Sequence, residues 1–543
     1  MATKSDIEST LKNALIYAMA SVLEKAVGFV MLPIYAHLLG SEGYGILGMI
    51  EVVTSVLSIL VSYGIASAVN RFYFERESEE DRNALISTAM FTMFLICAAV
   101  CLPAVVLNKP IAYLAFGEYG LGLYIILSIC SFMIDSMAYT GQQYLLIRQR
   151  SVLVSIFSLL RLILAVTLNI YFIVILRLGI LGVLYSHLIT ALTFFLIYNT
   201  YTLSKTKFHF NKNDAKELIY FSAPLIPGYA AMFIRTNADR IILRTFLGLA
   251  EIGVYSMVMK FSMLLGLFFQ EPFMKTWIPK RMEICDSHNG PKIISDVVTI
   301  HLAIMVFAGL ILSLEIPLLI KIMTPKEFWI PSTVGFIAVF ARICFNTYYH
   351  LMFGLIYAKK TLKISQIQIA TALISVIFYI VFIKYFGIKG AFLAALISYI
   401  FQCSISYYFA NRFYKISYEW WKIFIFTASA IILFLIINPL TLDNDSISLF
   451  VKSNILPSLN KILIYFNLDG FKGGKLIFII NEKFIFLLEA VIKGLLGMTY
   501  ILILVTLNII PKEKLKDILK YLKNLLNGSS NSVKKNFLRK TNI

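Results

Sequence analysis

The sequence predicts an all-α polytopic membrane protein with about fourteen transmembrane helices, twelve of them in two related six-helix lobes. The 543 residues are 59% apolar and only 15% charged, whereas an ordinary soluble protein is about 25% charged. Apolar runs long enough to cross a bilayer recur along most of the chain, since about 20 such residues span it as a helix. The chain also resembles itself at an offset of 208 residues.

Two loop signatures coincide at this offset without a gap. The coinciding glycines are Gly40 with Gly248, Gly45 with Gly253, Gly179 with Gly387, and Gly182 with Gly390. Each pair lies between two long apolar runs, at the same place in each half. Internal symmetry in an apolar chain is typical of transporters. Six spans in each half, an even number, make both halves enter the membrane in the same sense, so the predicted pseudo-two-fold axis runs along the membrane normal.

We place fourteen spans along the chain. They cover residues 11–39, 46–72, 84–108, 121–147, 152–176, 180–203, 217–246, 250–278, 293–320, 330–357, 362–386, 389–411, 421–440 and 484–510. The N-terminal lobe is residues 1–208 and the C-terminal lobe residues 209–416. Residues 417–510 add two helices outside the symmetry, with an outside insert at 441–480. Residues 511–543 form a basic amphipathic tail, which is expected to lie on the membrane surface or, alternatively, to bind a partner.

The distribution of basic residues predicts the topology. Of the 49 Lys and Arg residues, 30 lie on the side of the N-terminus, 12 on the opposite side and seven within spans. Because cytoplasmic loops are enriched in Lys and Arg, both termini are predicted to be cytoplasmic. The net charge of +19 is therefore assigned to topology and not to nucleic-acid binding. The first apolar run lacks a signal-peptide cleavage site and is expected to remain as a span. No metal-ligand spacing is found among the six cysteines.

Charged residues within the spans are the candidate functional residues, since each costs about 2.5–3.5 kcal/mol at the bilayer centre and normally faces a cavity or a partner. The seven cations are Lys25, Arg161, Arg235, Arg240, Lys260, Arg342 and Lys493. A vestibule lined by Lys25, Arg240, Lys260 and Arg342 would attract an anion. The alternative is separate ion pairs with acids across helices.

The spacing of opposite charges also predicts pairs within single helices. Arg235 and Asp239 are four residues apart, so both lie on the same face of a helix and can pair. Glu489 and Lys493 have the same spacing. The acids Glu51, Asp135 and Asp239 are candidates for coupling transport to protons or sodium; the sequence shows no coupling ion.

Helix breakers mark the first span of each half. Pro33 interrupts the first span, and Pro224, Pro227 and Gly228 interrupt the seventh. Proline removes a backbone hydrogen bond and kinks a helix. These positions are predicted hinges, and static kinks are the alternative.

The run from Leu39 to Gly45 resembles the Leu-Gly-x-Glu-x-Tyr-Gly signature of the polysaccharide transporter family. These are the O-antigen (Wzx-type) flippases of the MOP superfamily, relatives of the multidrug MATE exporters and the lipid II flippase. Further similarities are Arg71-Phe72-Tyr73 closing span 2, Pro224-Leu225-Ile226-Pro227 opening span 7, Asn237-Ala238-Asp239-Arg240 within it, and Gly253-Val254-Tyr255-Ser256 starting span 8. The resemblance covers about residues 1–416.

The resemblance implies a MATE-like pair of six-helix lobes in a bacterial inner membrane. It also implies a polyprenyl-diphosphate-linked oligosaccharide as substrate, such as an O-antigen, capsule or exopolysaccharide repeat unit. The cationic lumen of the family corresponds here to Lys25, Arg235, Arg240 and Lys260. A flippase needs no covalent chemistry and no cofactor. Expected partners are membrane lipids and other polysaccharide assembly proteins. The insert at 441–480 departs from the compact loops usual in the family.

Three other functions remain as alternatives. A MATE-like exporter of cationic drugs would favour acids in the lumen, whereas the unpaired excess here is cationic. A membrane polysaccharide polymerase or ligase would carry Arg and His in large outside loops, and residues 441–480 contain neither. A structural scaffold is disfavoured by the charges inside the spans.

Overall fold

The computed structural model describes residues 4–61, 63–438, 493–494, 497 and 499–500. In this part of the chain every regular element is helical. The helices are α1 (Lys4–Val61), α2 (Tyr63–Glu75), α3 (Glu79–Val106), α4 (Asn108–Phe116), α5 (Gly122–Ile147), α6 (Ser151–Asn169), α7 (Ile180–Thr206), α8 (Lys212–Ser222), α9 (Ile226–Phe246), α10 (Leu249–Leu265), α11 (Glu271–Ile284), α12 (Gly290–Met323), α13 (Ser332–Leu351), α14 (Phe353–Tyr357), α15 (Thr361–Ala410) and α16 (Trp420–Ile437). Three 3₁₀ turns (Tyr119–Leu121, Ala223–Leu225 and Lys326–Phe328) and two π-helical segments (Ile170–Ile175 and Gly266–Gln270) connect or extend them.

The helices confirm the predicted all-α polytopic fold. Within the described residues, ten helices are long and apolar enough to cross a membrane, or eleven if α8 and α9 form one bent span. Two predicted spans can share one helix, because α15 contains a kink at Gly387. The predicted span at 484–510 lies mostly outside the described residues. The insert at 441–480 and the tail at 511–543 lie wholly outside them.

The helices group into two compact units. The first contains the described residues of Met1–Met259, together with Met323–Trp329 and Ser365–Ser398. The second contains Lys260–Ile322, Ile330–Ile364 and the described residues from Tyr399 onward. The division falls inside α10 and inside α15, so each of these helices contributes residues to both units. The predicted division at residues 208 and 416 remains a prediction about repeat symmetry.

The glycines matched by the internal repeat share an unusual backbone conformation. Gly40 and Gly248 have φ angles of 69° and 108°, and Gly179 and Gly387 have φ angles of 57° and 59°. Gly179 and Gly387 also agree in ψ, at −131° and −138°. Side chains rarely tolerate positive φ, whereas glycine adopts it without a Cβ clash. In both repeats, a glycine with a positive φ therefore makes the turn between successive helices.

A second pair of matched glycines lies at a helix crossing in the first unit. A Cβ atom added to Gly45 would lie 1.8 Å from the carbonyl oxygen of Leu249, and one added to Gly253 would lie 2.0 Å from that of Ser41. Ser41 and Leu249 are themselves equivalent at the offset of 208 residues. The contact is therefore reciprocal, as a two-fold relation between equivalent segments requires. Small residues allow such close approach of helices in membranes.

The turn at Gly40 is anchored by a distant acid. The second half of α1 begins at Ser41, whose backbone amide donates to Glu327 Oε1 at 2.9 Å and whose hydroxyl donates to Glu327 Oε2 at 3.3 Å. A carboxylate at a helix N-terminus accepts from amides that have no partner within the helix. Phe328 packs edge-on against Tyr44, with ring centroids 6.0 Å apart. The segment Lys326–Phe328 therefore fixes the start of helix 41–61.

Candidate functional site

Glu51 and Arg240 form an ion pair between α1 and α9, in the first unit. Arg240 Nη1 donates to Glu51 Oε2 at 2.8 Å and to the backbone oxygen of Gly48 at 3.4 Å. The Glu51 side chain is 54% exposed, while that of Arg240 is 14% exposed. A carboxylate in the middle of an apolar helix is costly if it faces lipid. We therefore expect the exposed side of this pair to border water.

A second ion pair joins α5 and α6 in the same unit. Arg161 Nη2 donates to both carboxylate oxygens of Asp135 at 2.7 Å. Both side chains keep about a third of their surface or more exposed, at 32% for Arg161 and 40% for Asp135. Sequence reasoning assigned Asp135 to coupling and left Arg161 without a partner. The pair therefore adds Arg161 to the candidate site.

His187 is a fifth ionisable group in the region of the two ion pairs. This residue of α7 interacts with Asp135, Arg161 and Glu51. Five helices of the first unit thus contribute ionisable groups to this region: α1, α5, α6, α7 and α9. Sequence reasoning missed His187, although a lone ionisable side chain inside the apolar run at 180–203 was a usable signal.

Asp239 is buried beside Arg240 on α9 and accepts two hydrogen bonds. The donors are the hydroxyl of Tyr255 on α10 and the backbone amide of Arg240 at 2.7 Å. Tyr255 is held in place by stacking on Phe392, with ring centroids 4.6 Å apart. Arg235, one turn before Asp239 on α9, is also buried. The predicted pair of Arg235 with Asp239 and the coupling role of Asp239 remain predictions.

The other predicted cations lie elsewhere in the chain. Lys25 is on α1, where the structure describes the backbone and not the side chain. Lys260 and Arg342 belong to the second unit. The guanidinium of Arg342 lies 4.8 Å from the ring centre of Phe345, a cation–π distance. That these cations and Arg240 line one shared vestibule remains a prediction. Lys493, the predicted partner of Glu489, is buried, and Glu489 itself lies outside the described residues.

The predicted hinge residues lie at or near bends. Pro33 is inside α1, whose non-helical residue is Gly40, seven positions later. Pro224 lies in the 3₁₀ turn between α8 and α9, where the chain bends by 45°. Pro227 and Gly228 form the first turn of α9. Whether any of these bends moves remains a prediction.

Arg76, just beyond α2, is tied to α8 by two acids. Its Nη2 donates to Asp214 Oδ1 at 2.8 Å and to Glu217 Oε2 at 2.7 Å. Burial lowers the pKa of Arg76, but the hydrogen bonds and charges of Glu217 and Asp214 outweigh burial and raise the pKa overall. The guanidinium therefore stays charged, and this cluster is expected to hold the start of the α8–α9 bent span.

Comparison with known proteins identifies the family. Residues 10–284, just over half of the chain, match the family model described as "Polysaccharide biosynthesis protein". The chain belongs to the polysaccharide biosynthesis protein family. A curated relative in this comparison is the Lsg locus protein 1 of Haemophilus influenzae, 25% identical over 264 residues. The matched region covers 48% of this chain and 63% of that relative.

Solved structures show which fold this family member has. The structure "Lipid II flippase MurJ, inward closed conformation" superposes with a TM-score of 0.67 at 14% identity, covering 90% of this chain and 98% of that one. An inward-facing multidrug resistance MATE transporter of the MOP superfamily gives a TM-score of 0.50 at 14% identity, covering 72% and 94%. This polysaccharide biosynthesis protein therefore has the fold of membrane transporters and flippases, and it is a multi-pass membrane protein. The resemblance to the polysaccharide transporter family, predicted from Leu39–Gly45, is confirmed.

The donor geometry of the two arginines defines which ligands the ion pairs could accept. A guanidinium binds carboxylate and phosphate oxygens with the same donor geometry. An anionic ligand can therefore take the place of Glu51 at Arg240, or of Asp135 at Arg161. A displaced carboxylate, no longer paired, binds a proton or another cation more readily. Such a replacement would require no covalent step.

Proposed function

We propose that the chain is a flippase that carries a polyprenyl-diphosphate-linked oligosaccharide across the bacterial inner membrane by alternating access, with both termini in the cytoplasm. The observation that carries the proposal is the combination of the family with the fold: residues 10–284 match a polysaccharide biosynthesis family, and 90% of the chain superposes on a lipid II flippase. The family description and the likeness to the lipid II flippase support a lipid-linked glycan as the substrate class.

The ion pairs of the first unit suggest how such a substrate would be held. We propose that the diphosphate displaces Glu51 from Arg240, because a dianionic group with several acceptor oxygens competes well for one guanidinium. Loss of hydration around the diphosphate would be offset by these charge-assisted bonds. Released Glu51, or Asp135 after exchange at Arg161, would then accept the coupling proton or sodium ion. No covalent chemistry is involved, so the protein would not act as an enzyme.

The test is flipping in proteoliposomes that contain the purified protein and a labelled polyprenyl-diphosphate oligosaccharide. Arg240→Gln should slow flipping by at least about tenfold, since ~1.4 kcal/mol of lost binding corresponds to that factor. Arg240→Lys keeps the charge and loses the planar donor pair, so it should retain more activity. Glu51→Gln should weaken the dependence of the rate on the proton or sodium gradient.

A matched control separates substrate binding from folding. Lys280→Gln removes an exposed cation whose partner, Glu283, lies on the same helix, and it should leave the flipping rate unchanged. Full activity of Arg240→Gln at normal protein level would contradict the proposal.

The exposed acids favour one second candidate, a MATE-like exporter of cationic drugs. Glu51 and Asp135 are 54% and 40% exposed, and open carboxylates could bind a cation directly. The two functions predict opposite results in the same vesicles. An exporter would move a cationic dye and leave the labelled glycolipid in its original leaflet, whereas a flippase would do the reverse.

A further inference from the structure

The second unit contains a cavity of about 400 Å³ between α12, α13, α15 and α16. Its apolar walls include Leu302, Phe340, Ile343, Ile400 and Phe426. A void of this size without an occupant would leave its lining with no dispersion partners on one side. Small-molecule sites in proteins have similar volumes, from about 300 Å³ upward.

Three polar side chains that line this cavity, those of Thr347, Cys403 and Ser404, are already hydrogen-bonded to the protein. The Thr347 hydroxyl donates to the backbone oxygen of Ile343 at 2.8 Å, and the Ser404 hydroxyl donates to that of Ile400 at 2.9 Å. The Cys403 thiol donates to the backbone oxygen of Cys344 at 3.2 Å. These groups offer no free donor hydrogen to an occupant. Because water needs two to four polar partners to occupy a cavity, the lining favours an apolar occupant.

The lining side chains of Tyr418 and Trp420 also donate hydrogen bonds within the protein. The Tyr418 hydroxyl donates to the backbone oxygen of His350 at 3.3 Å. The Trp420 indole donates to the Tyr407 hydroxyl at 3.4 Å. The rings of Tyr407, Tyr418 and Trp420 are mutual neighbours, with centroids 5.0–5.9 Å apart. Aromatic side chains of this kind concentrate at the level of lipid headgroups.

Exposed residues of α15 and α16 border the cavity, from which we infer that it opens between these two helices. Ile400 is 48% exposed and Ser404 is also exposed, one turn apart on α15. Trp420 on α16 is 42% exposed, and Phe424, one turn further on, is 64% exposed. These helices span the bilayer, so the opening faces hydrocarbon. The occupant available at that position is a lipid chain.

The end of α15 nearest the aromatic cluster carries exposed positive charge. Arg412 and Lys415 follow the last turn of α15 and are exposed. Lys422, on the first turn of α16, is bonded to Glu419 at 2.5 Å. A basic residue near the membrane surface attracts anionic lipid headgroups by about 1 kcal/mol. The position of Arg412 and Lys415 therefore favours a negatively charged headgroup above an inserted chain.

We propose that this cavity binds one acyl chain of an anionic phospholipid, with the headgroup beside Arg412 and Lys415. A volume of about 400 Å³ accommodates on the order of ten methylene groups, if each takes roughly the ~30 Å³ that a water molecule occupies in the liquid. That length suits part of a phospholipid chain and is short for a polyprenyl chain. The site is distinct from the ion pairs at Arg240 and Arg161, which belong to the first unit.

The experiment uses the full-length protein in nanodiscs containing phosphatidylglycerol with a diazirine at the end of one acyl chain. After illumination, peptide mass spectrometry should find the label concentrated in residues 340–351 and 400–407. Filling the mouth with Ser404→Trp should reduce this labelling about tenfold, which corresponds to ~1.4 kcal/mol of binding. Ile400→Trp provides a second mouth variant in case the first does not fold.

Two controls decide the result. Leu435→Trp places the same ring on a lipid-facing position of α16 that is 61% exposed and outside the cavity lining, and it should leave the labelling unchanged. Unlabelled phosphatidylglycerol should compete with the label, whereas polyprenyl phosphate at the same concentration should not. Label spread evenly over all lipid-facing helices, or preferential competition by polyprenyl phosphate, would overturn the proposal. Labelling requires no flipping, so this result is independent of the transport assay.

Discussion

Replacing Gly45 with alanine should separate two helices that cross in the first unit. The added Cβ would lie 1.8 Å from the carbonyl oxygen of Leu249 and 3.2 Å from the backbone nitrogen of Gly253. Both neighbours are backbone atoms, so no side-chain rotation can relieve the contact. Ordinary van der Waals contact of a Cβ begins at 3.4 Å, so α10 and helix 41–61 must move apart by about 1.6 Å at this point.

The energetic cost follows from that separation. A gap of 0.5–1 Å already forfeits about a quarter to a half of the dispersion energy of a contact, so a larger gap removes most of it around the crossing. Overpacking typically costs about 1–3 kcal/mol, and we expect Gly45→Ala to lie at the upper end. Gly253→Ala should be equally costly, since its Cβ would lie 2.0 Å from the oxygen of Ser41. Once the first substitution has opened the crossing, the second has less to displace, so the double variant should cost clearly less than the sum.

The assay is thermal unfolding of the purified variants in one detergent. Gly28→Ala is the matched control, because a Cβ at this helical position meets no atom within 4 Å and alanine favours a helix by up to about 1 kcal/mol over glycine. Gly45→Ala and Gly253→Ala should lower the midpoint by several degrees, and Gly28→Ala should not. Additive losses in the double variant would refute the reciprocal crossing, as would a midpoint for Gly45→Ala equal to that of the parent protein.

Three further predictions concern other contacts and the topology. Glu327→Ala should lower stability by about 1 kcal/mol, the usual cost of losing a helix N-cap. Glu327→Gln should lower it by less, because the amide oxygen of glutamine can still accept from Ser41. Equal thermal midpoints for the parent protein and both variants would contradict the capping role. Arg161→Gln should lower the thermal midpoint, and adding Asp135→Asn to that variant should restore part of the loss. Both effects should stay at about 1 kcal/mol or below, because both side chains are about a third exposed or more. A double variant that is less stable than Arg161→Gln would count against the pair. A reporter enzyme fused after residue 543 should report cytoplasm and one inserted near Asn444 the opposite side, and the reverse pattern would overturn the topology.

Hydropathy and glycine spacing predicted the elements of this fold well. Apolar runs of about 20 residues leave few alternatives to a membrane-spanning helix, because backbone groups in lipid must be satisfied within the segment. The equivalence of Gly179 with Gly387 was visible in sequence, since only glycine adopts their positive φ without strain. The equivalence of Gly40 with Gly248 was visible for the same reason, because both glycines have a positive φ.

The contacts of the charged side chains were harder to predict. Arg240 and Glu51 are 189 residues apart, and their pairing depends on the rotation of two helices about their axes. A helix that is apolar on every face lacks the amphipathic stripe that normally reveals this rotation. Asp239 accepts hydrogen bonds from Tyr255 on the next helix and from the adjacent amide, and spacing within one helix does not reveal the contact with Tyr255. The pair of Arg235 with Asp239 remains a prediction. His187 was missed for the same reason, because its charged neighbours lie on other helices.

The acid that caps helix 41–61 is made long after the helix itself. Ser41 and Glu327 are 286 residues apart, and a ribosome adds about 5–20 residues per second. Glu327 therefore leaves the ribosome roughly 15–60 seconds after Ser41. During that interval the amide and hydroxyl of Ser41 are without this partner, while the residues between Ser41 and Glu327 are being synthesised. The turn at Gly40 is thus completed late in biosynthesis, and a nascent chain stalled before Lys326 should leave this helix start accessible to proteolysis or labelling.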